Sequence, residues 1–224
     1  MKKFLKSLFG SILMVGLSMS WGSGSWAEPR PGLAILPFFV QRIENPARGA
    51  VICPLCKGIY EYGEVVPGAP SVLTKILYAK MEALERFRIL PLEKTEEVLT
   101  PAMKEQFEQK PIPSVIRIGK ELGTDFVLAA FLFRYQERVG SAIGVEKPAS
   151  VALDVHLFRL RDGLEVWRGK FDETQKSLSE NLLKMGSFFR RKASWLRAEE
   201  LASVGMDEML KQLPEVRELE EKRP

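Results

Sequence analysis

Cysteine and histidine, the residues from which most thiol and metal chemistry is built, are nearly missing from this chain. Its 224 residues include two cysteines and one histidine. The cysteines, Cys53 and Cys56, stand together in AVICPLCKGIY at positions 50–60, so no single stretch supplies the four ligands of a closed metal site. Haem attachment is excluded, because Lys57 stands where a histidine would have to follow the second cysteine. The glycine pair in GSAIG at 140–144 lacks the Gly-Lys-Ser/Thr end of a phosphate-binding loop and reads as a hairpin tip. Internal repeats are absent, and beyond the first thirty or so residues no apolar run reaches the ~18–20 residues of a membrane span. A dominant charge is lacking too. Three of the 33 basic residues fall in the first 27 positions, which leaves 30 against 29 acids and a net charge of +1. That near balance excludes a general field for nucleic acid.

The first 27 residues are of another kind. Lys2, Lys3 and Lys6 form a positive start, the apolar stretch 8–19 follows, and Ser25-Trp26-Ala27 makes a small-x-small cleavage site. This is the pattern of a secretory signal peptide over 1–27, cut before Glu28, and it predicts a periplasmic protein with no transmembrane segment in the mature chain. No cysteine lies near the cut, so no lipid anchor is expected there. The mature length suits one domain.

Along that domain, 33–40 is a continuous apolar run, as in a strand buried on both faces. A Pro- and Gly-rich insertion over 41–70 carries the cysteines. Helices are predicted over 71–85, capped by Ser71 with Leu73, Ile76, Leu77, Met81 and Leu84 on its apolar stripe, and over 93–99 and 114–122, the last capped by Ser114 and ended by Gly123. Strands are predicted over 87–90 and 126–135, and 151–160 with 164–171 reads as a hairpin turning at Arg161-Asp162-Gly163. Helical pieces follow near 179–185 and 198–213, and 214–224 is a charged tail expected to fray. The order β-α-β-α-β-β-β-α implies an α/β fold of α+β-like character, a mixed sheet with helices packed on it. On this reading 28–175 is the domain, 176–213 a C-terminal helical extension, and the helices 71–85 and 114–122 cover one face.

Four stretches, GLAILPFFV, SVLTKILYAKMEALERFRILP, IRIGKELGTDFVLAAF and VALDVHLFRLRDGLEVWRGKF, together with the Leu-Gly-x-Asp element at 122–125, span about 32–172. In this patterning the chain resembles the small periplasmic α/β domain of the TolB amino-terminal and curli-secretion lipoprotein type. The resemblance implies a non-enzymatic module for envelope assembly or docking. The chain departs from that pattern in Ala130, where relatives tend to have glycine, in its cysteine-bearing insertion, and in lacking a lipid-anchor cysteine and alternating membrane hairpins.

For Cys53 and Cys56 three readings compete. A redox dithiol sits at a helix N-terminus, which lowers a thiol's pKa, but a β-like, glycine-broken stretch follows Cys56. A metal knuckle needs more ligands: His156 is far along the chain, Glu61 and Glu64 are poor partners for thiolates, and two chains would have to share one zinc. A structural disulfide in an oxidising compartment is the favoured expectation, with no cofactor. Asp154 and His156, two apart on a predicted strand, read as a weak polar pair on its less buried face. Asp172 and Glu173 point to opposite faces and make no carboxylate pair. Phe188, Phe189, Arg190, Arg191, Lys192 and Trp195 interleave aromatics with cations, either as a surface for anionic headgroups or a partner, or as buried rings beside solvated charges. No reaction is legible. The expectation is a soluble periplasmic, non-enzymatic interaction or envelope-assembly module whose partner is an envelope protein or its own chain, with peripheral membrane contact at the aromatic-basic stretch. The alternative is a metal- or thiol-dependent protein centred on Cys53 and Cys56.

Overall fold

A computed structural model describes residues 29–41, 49–100, 106, 107, 109–175 and 195–223. The expected signal peptide at 1–27, the helical piece at 179–185 and the stretch Phe188–Lys192 lie outside the described residues. The structure is a mixed sheet with helices on it, as the element order predicts.

The main sheet has six strands. Five run in the order β10 (Leu164–Thr174), β9 (Ser150–Arg159), β6 (Phe126–Gln136), β1 (Gly32–Ile35) and β5 (Arg88–Ile89). The sixth, β2 (Phe39–Val40), also pairs with β6, because the expected single strand 33–40 is interrupted at Pro37, which has no N–H to donate. β1 runs parallel to β5 and β6, whereas β9 is antiparallel to β6 and β10. Two small hairpins stand apart, β3 (Ala50–Ile52) with β4 (Ile59–Glu61) and β7 (Val139–Gly140) with β8 (Val145–Lys147).

From β1 the chain reaches β5 through α1 (Ala69–Ala83), then crosses back past β1 to β6 through α2 (Leu92–Val98) and α3 (Pro111–Glu121). Right-handed crossovers taken in opposite directions put their helices on opposite faces. Thus Leu73, Leu77 and Met81 of α1 pack with Leu33, Ile35 and Leu128, while Val115 and Ile118 of α3 pack with Ala34, Val127 and Ala129. The two helices therefore do not share a face as expected. Nor do Ser71 and Ser114 cap them: α1 begins after Gly68 in a left-handed conformation, and α3 begins at Pro111, whose missing N–H is no loss in a first turn.

The C-terminal part completes the α1 face. Helix α4 (Ala198–Leu210) inserts Leu201, Ala202, Met206 and Met209 into the same core, and Lys80 of α1 bridges to Asp207 at 2.5 Å. The tail does not fray. Helix α5 (Val216–Glu221) buries Leu219, and the Arg159 guanidinium donates to the carbonyls of Leu219, Glu220 and Lys222 at 2.6–2.7 Å. One buried cation thus satisfies carbonyls that a helix end leaves open. Among the described residues no helix is long and apolar enough to cross a membrane.

Candidate metal centre

The α3 face of the sheet turns polar at its β9–β10 end. Along β9, Ala152, Asp154, His156 and Phe158 alternate toward this face, while Leu153, Val155 and Leu157 pack on the other. What covers the polar end is the β3–β4 hairpin. Its pairing sets Val51 opposite Tyr60, both buried, and Ile52 opposite Ile59, which are 54% and 66% exposed. The Tyr60 ring stacks on Phe133 at 3.9 Å, its hydroxyl donates to Asp154 Oδ2 at 2.9 Å, and Arg134 donates to the Glu61 carbonyl at 2.9 Å.

The loop CPLCKG between these strands folds as a knuckle. Cys53 N donates to the Gly58 carbonyl and Lys57 N to the Cys53 carbonyl. Two further amides aim at sulfur: Cys56 N reaches Cys53 Sγ at 3.5 Å, and Gly58 N reaches Cys56 Sγ at 3.3 Å. To turn this way Lys57 takes φ 62°, which disfavours any residue with a Cβ by about 1 kcal/mol. Lys57→Gly should therefore raise the stability by about 0.5 kcal/mol once glycine's greater unfolded-state freedom is subtracted, seen as a higher midpoint in denaturant at unchanged slope. A lowered midpoint would mean that the turn is not under strain.

This knuckle brings Cys53 and Cys56 onto Asp154 and His156. One donor atom from each of the four lies within 4.8 Å of every other. Cys53 Sγ is 3.5 Å from His156 Nε2, Cys56 Sγ is 3.6 Å from Asp154 Oδ2, and His156 Nε2 is 3.1 Å from Asp154 Oδ1. Cys53, Asp154 and His156 are completely buried, and Cys56 is half-buried. Despite the nearness of the imidazole, Asp154 Oδ1 has no hydrogen-bond partner among the described residues.

A second layer orients the histidine. Its Nδ1 lies 2.7 Å from Glu165 Oε1, and Arg168 holds that carboxylate with two hydrogen bonds, Nε to Oε1 at 2.8 Å and Nη2 to Oε2 at 2.7 Å. Glu165 and Arg168 reach the same side of β10 because a bulge between Glu165 and Trp167 inserts an extra residue. Burial works to raise the Glu165 pKa, but the hydrogen bonds from Arg168 and His156 prevail and bring it down to about 2. Burial lowers the His156 pKa, yet the neighbouring carboxylates of Asp154 and Glu165 leave it raised. The Cys53 thiol is pushed far up by burial and then by the Asp154 charge, and Tyr60 is pushed up by the same two causes. A nucleophilic, redox-active thiol needs the opposite.

Four sequence readings meet the structure here. The two cysteines, expected as a disulfide, are not joined in the structure, and their sulfurs lie against His156 and Asp154. Asp154 and His156 lie in the core, not on a less buried face, because the hairpin covers them. A third and fourth candidate donor come from the same chain, whereas the sequence reading looked for them in a second one. Glu61, near in sequence but a poor partner for thiolates, is turned to solvent. Of the aromatic-basic stretch, Trp195 is half-buried and tied to the β7–β8 hairpin, its amide donating to Ala142 O and its carbonyl accepting from Arg138. The missed residues are Tyr60, Glu165 and Arg168. The two-residue alternation of Asp154 and His156 was the available signal that both point to one face.

No protein-family model matches the chain, and no curated protein does. Among solved structures it is similar to CT253, a hypothetical protein from Chlamydia trachomatis (TM-score 0.48, 11% identity, 82% of this chain and 95% of that one). It is similar also to the PelC dodecamer from Paraburkholderia phytofirmans (TM-score 0.44, 12% identity, 87% and 91%). A third is the LpoB C-terminal domain from Salmonella enterica (TM-score 0.39, 13% identity, 67% and 87%). The resemblance to the TolB and curli-secretion type reaches the class of fold and no further.

Proposed function

We propose that this chain is a non-enzymatic module of the cell envelope, exported by the signal expected at 1–27, in which the Cys53/Cys56/Asp154/His156 cluster is a fastening and not a reaction centre. The observation that carries this reading is the closure of the cluster. Three of its four side chains have no solvent exposure, and all four donors face one another beneath the β3–β4 hairpin. Only Cys56 retains partial exposure, and the other three donors are closed to a substrate. What the fastening holds outward is the Ile52–Ile59 pair, an apolar contact on a two-stranded ribbon that suits an envelope protein with a matching apolar face.

The test has two arms. In amide hydrogen exchange, Asp154→Asn should speed exchange at Val51 and Tyr60 by roughly tenfold or more while β1 stays protected. Unchanged hairpin exchange would overturn the fastening. In cells, a photo-crosslinking side chain at position 59 should give an adduct of one discrete mass that disappears in the Asp154→Asn background. No adduct, or an adduct of twice the mass of the exported chain itself, would overturn the envelope-protein partner.

A further inference from the structure

The fastening reading says that the cluster holds the hairpin; on that basis the geometry points to what it holds it with. We propose that each chain binds one Zn2+ through Cys53 Sγ, Cys56 Sγ, His156 Nε2 and Asp154 Oδ1.

Three independent observations lead there. The first is distance. Tetrahedral zinc with bonds of ~2.3 Å to sulfur and ~2.0–2.2 Å to nitrogen or oxygen sets its donors about 3.3–3.8 Å apart. The 3.5 Å from Cys53 Sγ to His156 Nε2 and the 3.1 Å from His156 Nε2 to Asp154 Oδ1 already lie at or near those edges, and one donor atom from each of the four residues lies within 4.8 Å of every other. The second is the buried Asp154 Oδ1. The other oxygen of that carboxylate accepts from Tyr60, yet Oδ1 is left with no hydrogen bond, and a buried polar atom in that position costs stability unless something binds it. The third is the surrounding architecture. His156 carries Glu165 on Nδ1, which leaves Nε2 free to ligate, and histidine ligands are regularly oriented by such a carboxylate. The amides of Cys56 and Gly58 point at the two sulfurs, where they stabilise thiolates.

The donor set also selects the ion. Two thiolates and an imidazole are poor ligands for calcium or magnesium, which prefer oxygen, and four protein donors with no position left for water make a structural rather than a catalytic zinc site. Binding exchanges the two thiol protons for the metal, with no change of oxidation state.

The full chain, purified under reducing conditions without chelator, should carry about one zinc per chain by elemental analysis. Replacement by Co2+ should produce sulfur-to-cobalt charge-transfer absorption and the intense visible bands of a tetrahedral ion. The double variant Cys53→Ser/Cys56→Ser should lose zinc almost entirely. Should that variant fail to fold, Glu165→Gln keeps all four ligands and should weaken zinc binding about 10–100-fold in competition with a chromophoric chelator, because only the orientation of His156 is disturbed. Protein that neither retains zinc nor takes up Zn2+ or Co2+ would overturn the proposal. So would half a zinc per chain in a dimer, or a non-reduced mass about 2 Da light from a Cys53–Cys56 disulfide. The fastening can fail separately: zinc bound at one per chain with unaltered hairpin exchange in Asp154→Asn would sink the fastening and leave the zinc.

Discussion

Gly205→Val is expected to lower the stability by about 3 kcal/mol, at the upper end of what overpacking a core costs and a large part of the ~5–15 kcal/mol that folds an ordinary domain. Gly205 lies in the middle of α4, where helix propensity alone would favour almost any other residue, alanine by about 1 kcal/mol. Space decides the sign. A Cβ at this position would stand 2.5 Å from ring atoms of Phe171 on β10, closer than real carbon contacts allow. Phe171 is buried in the core that joins α4 to the sheet, so the ring cannot swing into solvent to make room. The helix would have to lift, and with it Leu201, Met206 and Met209 would lose contact with β9 and β10. Chemical denaturation reads the effect directly. Shrinking the neighbour in Phe171→Leu/Gly205→Val should recover part of the loss, although Phe171→Leu alone is destabilising. A double variant whose loss equals the sum of the two singles would show that the close approach is not what keeps glycine there.

Arg134→Met should cost about 3 kcal/mol, the lower end of the penalty for removing one member of a buried charged network. The guanidinium is 4% exposed and makes three hydrogen bonds: Nε to Ser150 Oγ at 2.6 Å, Nη1 to the Glu61 carbonyl at 2.9 Å, and Nη2 to Asp172 Oδ1 at 2.7 Å. These tie β6 to β9, to β10 and to the end of the β3–β4 hairpin. Methionine keeps most of the stem on which the hairpin's exit packs, where a Cβ at Gly63 would stand 2.3 Å from Arg134 Cγ. The loss then reports the head group. Asp172 retains partial access to water, so its stranded charge costs less than a sealed one, which is why the lower figure is expected. Arg134→Lys should rescue little, because a single ammonium cannot satisfy three acceptors set around a planar fork. The measurement is a urea titration with the slope held in view. A lysine variant of full stability would refute the role assigned to the fork.

Much of this architecture is legible in the order of residues. The nearly all-apolar run FVLAAFLFRY announces a strand buried on both faces, and β6 has that burial in the structure. The turn at Arg161-Asp162-Gly163 joins two β patterns, and β9 and β10 pair in the expected hairpin. Both halves of the candidate site are visible as well. CPLC reads as a knuckle, and Asp154-x-His156 on a strand puts two polar groups on one face whatever the fold.

Other features depend on the third dimension. That α1 and α3 lie on opposite faces comes from where β1 stands in the sheet order, since the crossover from β1 to β5 and the one from β5 back past β1 to β6 run in opposite directions, and local periodicity carries no trace of that. The tail EVRELEEKRP looks like a solvated end because its charges are all that is seen locally. The buried Arg159 that collects its carbonyls is some 60 residues away. Glu165 and Arg168 serve one histidine only because a bulge shifts the alternation of β10, and a strand pattern in sequence assumes unbroken alternation. The same holds for the four donors. Cys53 and His156 are 103 residues apart, and Cys56 and Asp154 are 98 apart. Each pair is ambiguous alone, a disulfide or a surface polar pair. Chain sequence determined which residues point together along each strand and turn, because that is set by neighbouring dihedrals. Which strand face the hairpin would cover, and so whether two thiols would meet a carboxylate and an imidazole away from water, was decided by packing across the sheet.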